Sequence, residues 1–351
     1  MTRRGCVLFS ALSLIWGIPY LLIKIAVTDV DPLIVAFGRT LIAAVLLLPI
    51  ALYRRALVPV FRRWKWLLLY TVVEMSGPWL LLGHAETRLN SSTAGLLLAV
   101  VPMIAAIILT ATGRDRFDAR RIVGLVIGFA GVACLVGLDI HVDDLASVGA
   151  VMLVAIGYAI GPIIINRRLA DLPPMGVVTG SLIVATVLYA PFAVWLWPDR
   201  ITAPAAWSIA GLAVICTAVA FLAFFALIAE AGPARATVIT YINPAVAITL
   251  GVLLLDEPFT VGMAIGFPLV NPGVGTGHRT GAHAHAGRER RAAGCRGRHR
   301  RMTAPGRRLT DRARPVPGAC GAQAGLDFPA EPSCSQAWTM RSPIAISPSL
   351  L

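Results

Sequence analysis

The run PLIVAFGRTLIAAVLLLPIALY, residues 32–53, carries a single charged side chain, and eight comparable runs divide the first 255 residues. About 20 apolar residues cover the roughly 30 Å of hydrocarbon in a bilayer. Inside hydrocarbon every backbone N–H and C=O must be bonded within its own segment, so each such run has to be helical. The spacing predicts spans at residues 6–27, 32–52, 64–83, 92–112, 121–138, 146–166, 175–197, 205–229 and 235–255, and a tenth that begins near Phe259 and loses its apolar character at Asn271.

Composition agrees: 57% hydrophobic and 14% charged places the chain outside the soluble range. The N-terminus has the basic start and apolar run of a signal peptide. Its run is long enough to cross, leads into further spans and lacks an A-x-A site, so it reads as span one. The net charge of +13 is uneven, because residues 271–351 hold 13 Arg against 4 Asp/Glu and supply +9. Such a distribution belongs to a tail and to membrane-flanking loops, and no nucleic-acid partner is expected. The short loops set orientation through their Lys and Arg. With the N-terminus in the cytoplasm, inside segments carry fourteen, from Arg3 to Arg235, and outside loops carry only Arg88 and Arg200. The expectation is a multi-pass protein of the cytoplasmic (inner) membrane.

Sliding the chain against itself by 142 residues aligns Pro32 with Pro174, Asp29 with Asp171, Pro49 with Pro191, Pro102 with Pro244, Phe117 with Phe259 and Gly124 with Gly266. Trp16 falls on Tyr158, and Lys24 on Asn166. Each copy holds five spans, and an odd number puts the second copy into the membrane upside down. Inverted repeats of this kind are characteristic of secondary transporters, with substrate held near the midplane between them. The fold expected is an all-α polytopic bundle of ten helices, the tenth truncated, made of two inverted five-helix repeats at residues 1–138 and 146–270.

WG at 16–17 followed by Lys24, Arg39 in span two, AETRLNSSTAGLLLAVVP (85–102), GRDRFDARRIVGLVIGFAGV (113–132) and NPAVAITLGVLLLDEPFTVGMAIG (243–266) together resemble the EamA-like family of the drug/metabolite transporter superfamily. The resemblance covers residues 1–270. It implies ten helices, both termini in the cytoplasm, carrier-type movement of small metabolites, often export, and a substrate site among spans 1, 3, 4, 6, 8 and 9.

Ionisable residues inside spans face a cavity or a partner. Glu74 lies ten residues into span three, about 15 Å deep, and Arg39 lies seven residues into span two, about 10 Å deep. Glu74 is read as the proton-coupling or cation-recognising carboxylate with Arg39 tuning it. A structural ion pair between the two is the alternative. Pro102 and Pro244 are expected to break spans four and nine and free backbone carbonyls toward the cavity, with Tyr241 and Asn243 beside the second. Trp16, Tyr20 and Tyr158 are read as an aromatic wall. The substrate-binding set is therefore Trp16, Tyr20, Arg39, Glu74, Pro102, Tyr158, Tyr241, Asn243 and Pro244. Lys24 is read as snorkelling to the interface and Glu230 as a solvated or gate residue. Gly124-x-x-x-Gly128 and Gly262-x-x-x-Gly266 allow close helix approach, within the chain or across a homodimer.

No G-x-S-x-G, H-E-x-x-H or P-loop occurs, and no catalytic residue, cofactor or metal is expected. The partners expected are a small-molecule substrate and the bilayer. The function expected is proton-coupled secondary transport of small metabolites by alternating access, with export of amino-acid-like or other polar ones; a membrane scaffold or sensor whose basic tail binds lipid or a partner, or an intramembrane enzyme, are the alternatives. Residues 271–351 are Arg-, Gly- and Pro-rich, contain no lysine and replace the second half of span ten. They are read either as out-of-frame translation beginning near codon 271 or as a disordered tail.

Overall fold

A computed structural model describes residues 2–112, 119–139, 144–232, 239–240 and 242–269. Tyr241 and the segment 271–351 lie outside them. The described helices are α1 (Arg3–Val27), α2 (Pro32–Tyr53), α3 (Trp64–Glu86), α4 (Ser91–Ala111), α5 (Ala119–Asp139), α6 (Leu145–Leu169), α7 (Pro174–Trp195), α8 (Ala203–Ala231), α9 (Asn243–Leu254) and α10 (261–269). Seven of them, α1–α4 and α6–α8, are long and apolar enough to cross a membrane. No strand occurs among the described residues.

The helix starts follow from local chemistry. Proline stands in the first turn of α2, α7, α8 and α9, where its missing N–H costs nothing. Asp31 caps α2 by accepting a hydrogen bond from the Leu33 N–H at 2.8 Å. The helices are interrupted at positions that sequence periodicity does not mark. α1 breaks at Trp16–Ile18 and restarts at Pro19, and Gly17 at the break packs so closely on Val246 that a side chain there would overlap it. α4 passes through a 3₁₀ turn, Leu98–Val100, before Pro102. Pro244 stands in the first turn of α9, and residues 239–240 ahead of that helix are 3₁₀. Both prolines, expected as kinks inside spans, thus sit in first turns, and the strain is taken up by the tighter turn ahead of them.

Contacts between the repeats pair α2 with α7, α3 with α6, α4 with α9 and α1 with α8. Exchanging α1 with α6, α2 with α7, α3 with α8 and α4 with α9 maps this set onto itself, as a two-fold relation between two copies requires. One core cluster joins Ile34 and Leu96 of the first copy to Val154 and Leu212 of the second. Another joins Leu47 and Leu67 to Leu169 and Leu182. Gly128 packs on Met103, and Gly266 on the Gly131 carbonyl, so these two glycines serve packing within the chain.

Candidate functional site

The third helix of each repeat widens into a π-turn at the same depth, Thr71–Ser76 in α3 and Val214–Val219 in α8. A hydroxyl near the end of each turn bonds five residues back: Ser76 Oγ donates to Thr71 O at 3.2 Å and Thr217 Oγ1 to Leu212 O at 2.7 Å. Such bulges interrupt the i→i−4 ladder and leave polar atoms facing neighbouring helices. Glu74 sits within the first bulge. Its Oε2 is shielded from solvent and has no hydrogen-bond partner among the described residues. The carboxylate lies against α6 of the other repeat at Gly161, where any side chain would overlap it. One turn away, Gly157 admits the Val73 carbonyl and Pro78.

Arg39 does not pair with Glu74. The ion pair formed among the described residues is Arg63–Asp171, and Arg39, only 8% exposed, is engaged elsewhere. Its Nε donates to Thr217 Oγ1 of the second bulge at 2.9 Å, and its guanidinium lies 3.7 Å from the centre of the Trp79 ring. The two groups expected to tune one another are instead divided between the bulges of opposite repeats. Tyr189 of α7 donates to Ser76 O at 2.5 Å, satisfying a carbonyl of the first bulge.

The expected aromatic wall divides as well. Tyr20 and Tyr158 pack against the same large cluster, and the Trp79 indole N–H is within reach of the Tyr158 hydroxyl. Trp16 joins a separate cluster on α8, with ring centroids 6.2 Å from Phe221 and 4.9 Å from Phe224. Asn243 Oδ1 is shielded and has no hydrogen-bond partner among the described residues, beside buried Pro244. Tyr241 lies outside the described residues. Thr217, Trp79, Tyr189 and Ser76 were not singled out from sequence. They carry no charge, and only tertiary contacts reveal them.

Polar links close both ends of the bundle. At the N-terminal end, Arg63 grips both carboxylate oxygens of Asp171 at 2.7 Å and donates to Arg168 O at 2.7 Å. The guanidinium holds the Asp171 carboxyl below the usual aspartate range. Thr2 Oγ1 donates to Glu230, so that residue ties α1 to α8. At the distal end, Thr202 Oγ1 donates to Asp29 Oδ2 at 2.7 Å. Lys24 does not snorkel freely: its ammonium donates to Glu86 O at 2.7 Å and Leu89 O at 2.8 Å. Glu257 crosses from the second repeat to accept from Ser91 N (2.7 Å), Ser92 N (3.0 Å) and Ser92 Oγ (2.5 Å) at the start of α4. A cavity of about 510 Å³ opens there, between Lys24, Asp29, Asn90, Pro204 and Glu257. None of the expected substrate residues lines it.

The sequence pattern of the EamA-like transporter family matches residues 3–137 and again 145–275. The chain belongs to the EamA-like transporter family. The double match coincides with the two copies found by the 142-residue offset. Among its relatives, a Bacillus subtilis protein named as the uncharacterized transporter YvbV is 26% identical over 278 residues, 76% of this chain and 89% of that one. The Escherichia coli uncharacterized inner membrane transporter YedA is 27% identical over 256 residues, 70% of this chain and 81% of its own. A crystal structure at 18% identity shares the fold, with a TM-score of 0.58 over 78% of this chain and 97% of the other. The transporter is thus a multi-pass membrane protein whose family moves small molecules across the bilayer.

Proposed function

We propose that the protein is a secondary active transporter that exports small polar, amino-acid-like metabolites by alternating access of its two repeats, coupled to protons through Glu74. The observation that carries this reading is the Glu74 carboxylate. It stands in a π-bulge, against a glycine of the opposite repeat, with one oxygen shielded and unpartnered. An acidic group so placed takes up and releases a proton as the repeats move past one another. Arg39, held between Thr217 and Trp79, is preorganised for an anionic group of the substrate. Tyr20, Tyr158 and Asn243 supply further polar contacts, Trp16 an aromatic one, and the helix breaks before Pro102 and Pro244 supply backbone carbonyls. Tyr241 belongs to the same proposed set. The Lys/Arg bias of the short loops supports an N-terminal end in the cytoplasm and a place in the cytoplasmic membrane.

Proteoliposomes loaded with a panel of radiolabelled amino acids and other polar metabolites test the reading. The purified protein is expected to release a subset of them when a proton gradient is imposed, and Glu74→Gln, folded as wild type, is expected to lose that response. A Glu74→Gln variant whose transport keeps the wild-type pH dependence removes the coupling role. Absence of any flux across the panel from folded protein, together with binding of anionic vesicles that depends on residues 271–351, selects the scaffold reading instead.

A further inference from the structure

Glu86, the last residue of α3, is wholly enclosed at 0% exposure, and neither carboxylate oxygen has a hydrogen-bond partner among the described residues. A carboxylate in such a place, without donors, is strongly disfavoured relative to the neutral acid. The natural counter-ion is adjacent and occupied. Lys24 directs its ammonium at two main-chain carbonyls of the α3–α4 connection, one of them that of Glu86 itself. Lys24 also lines the distal cavity, together with Glu257, whose hydrogen bonds hold the start of α4. One lysine therefore stands between an open cavity and an enclosed, unpaired carboxyl group.

We propose that Glu86 is a second proton-carrying group of the transport cycle, neutral while the distal end is closed and ionised against Lys24 when that end opens. In the opening step the Glu86 O–H bond breaks and its proton passes to a water molecule in the cavity. The resulting carboxylate takes the Lys24 ammonium, which releases the Glu86 and Leu89 carbonyls and with them the α3–α4 connection. No other covalent bond is made or broken. The inference rests on the carrier reading, but its test needs no substrate.

The sign follows from linkage. The closed state binds one more proton than the open state, so acid favours closure and rising pH favours opening. The charged or titratable groups facing Glu86 are Lys24 and Tyr20 on α1, Glu257 ahead of α10 and Tyr158 on α6. Asp29 and Asp256 line the cavity. Among the described residues Lys24 is the cation that faces Glu86, and it receives the carboxylate.

Asn90 lines the cavity and makes no side-chain capping bond, so Asn90→Cys is a suitable reporter in a background with the native cysteines replaced by alanine. Its labelling by a membrane-impermeant maleimide is divided by the rate at Asp199→Cys, an exposed loop position, which removes the thiol's own pH dependence. The ratio is expected to rise about threefold or more from about pH 5 to about pH 8 in the parent protein. It is expected to stay at its low-pH value throughout in Glu86→Gln, and to lose most of its rise in Lys24→Gln, which keeps the test intact if Glu86→Gln folds poorly. A flat parent ratio, or a full response surviving in Glu86→Gln, overturns the proposal. If the response survives there and vanishes in Glu74→Gln, the Glu86 inference fails while the carrier reading stands.

Discussion

The two repeats share a frame and differ in chemistry. Under the 142-residue offset the contact of Trp16 with Phe221 corresponds to that of Tyr158 with Trp79, and the two π-bulges coincide within one residue. The charges break the symmetry: Glu74 corresponds to Cys216, Arg39 to Ser181 and Trp79 to Phe221. One bulge is therefore built around a carboxylate and the other around a buried thiol. The end latches differ in the same manner. Asp171 meets a bidentate arginine, whereas its counterpart Asp29 meets a threonine hydroxyl. On the proposed carrier reading, symmetry of the frame gives the bundle two related states, and asymmetry of the side chains decides where protons and substrate act.

The comparison is broken most directly at the bulges. Glu74→Gln is expected to lower proton-driven transport about a hundredfold or more, as loss of a proton-transfer group does, while Cys216→Ser leaves the flux within about twofold. Equal losses in paired flux assays would erase the distinction between the two bulges.

Next in size is the close seating of α6 on the first bulge. Gly157→Ala puts a methyl group into the Val73 carbonyl and is expected to cost about 1–3 kcal/mol. Gly149→Ala, in open space on the same helix, is expected to gain about 0.5–1 kcal/mol. Thermal unfolding in detergent separates the two by the sign of the shift.

Tyr189→Phe leaves the Ser76 carbonyl of the first bulge without its donor, for an expected loss of about 1–2 kcal/mol. The corresponding residue of the first repeat, Leu47, offers no such bond. Leu47→Met, which keeps the volume, is expected to cost less than about 1.5 kcal/mol in the same unfolding assay.

The smallest effects belong to the latches. Because Arg63 depresses the proton affinity of Asp171, the N-terminal latch is complete above the ordinary aspartate range and is lost as pH falls through the lower, latched value. Protection of the α6–α7 loop amides, taken relative to their intrinsic exchange rates, is expected to fall on acidification and, by about threefold, in Arg63→Gln. Thr202→Ala should quicken exchange in the α1–α2 loop by less. The reverse order would show that the distal latch is the stronger one.

Much of the frame was legible in the sequence, because hydrocarbon admits only helices and a constant offset of prolines survives divergence. Glu74 and Arg39 stood out because a charge in an apolar run is conspicuous. Their environments did not. A π-bulge changes the bonding ladder by one residue and leaves no mark on composition, and the partners of Arg39, Thr217 and Trp79, lie on two other helices. Pairing Arg39 with Glu74 from similar depth failed because depth fixes height in the bilayer and not direction around a helix. Glu86 is hidden for a simpler reason: polar TRLN follows it and apolar character ends span three at residue 83, whereas α3 runs to Glu86.

The central claim is that Glu74 couples the movement of the two repeats to protons, and the measurement that bears on it most directly compares exchange with net flux in Glu74→Gln proteoliposomes. The neutral variant is expected to exchange substrate between the two sides at near parental rates, while net efflux no longer responds to an imposed pH gradient. Net efflux from Glu74→Gln that still follows the gradient as the parent does would contradict the claim.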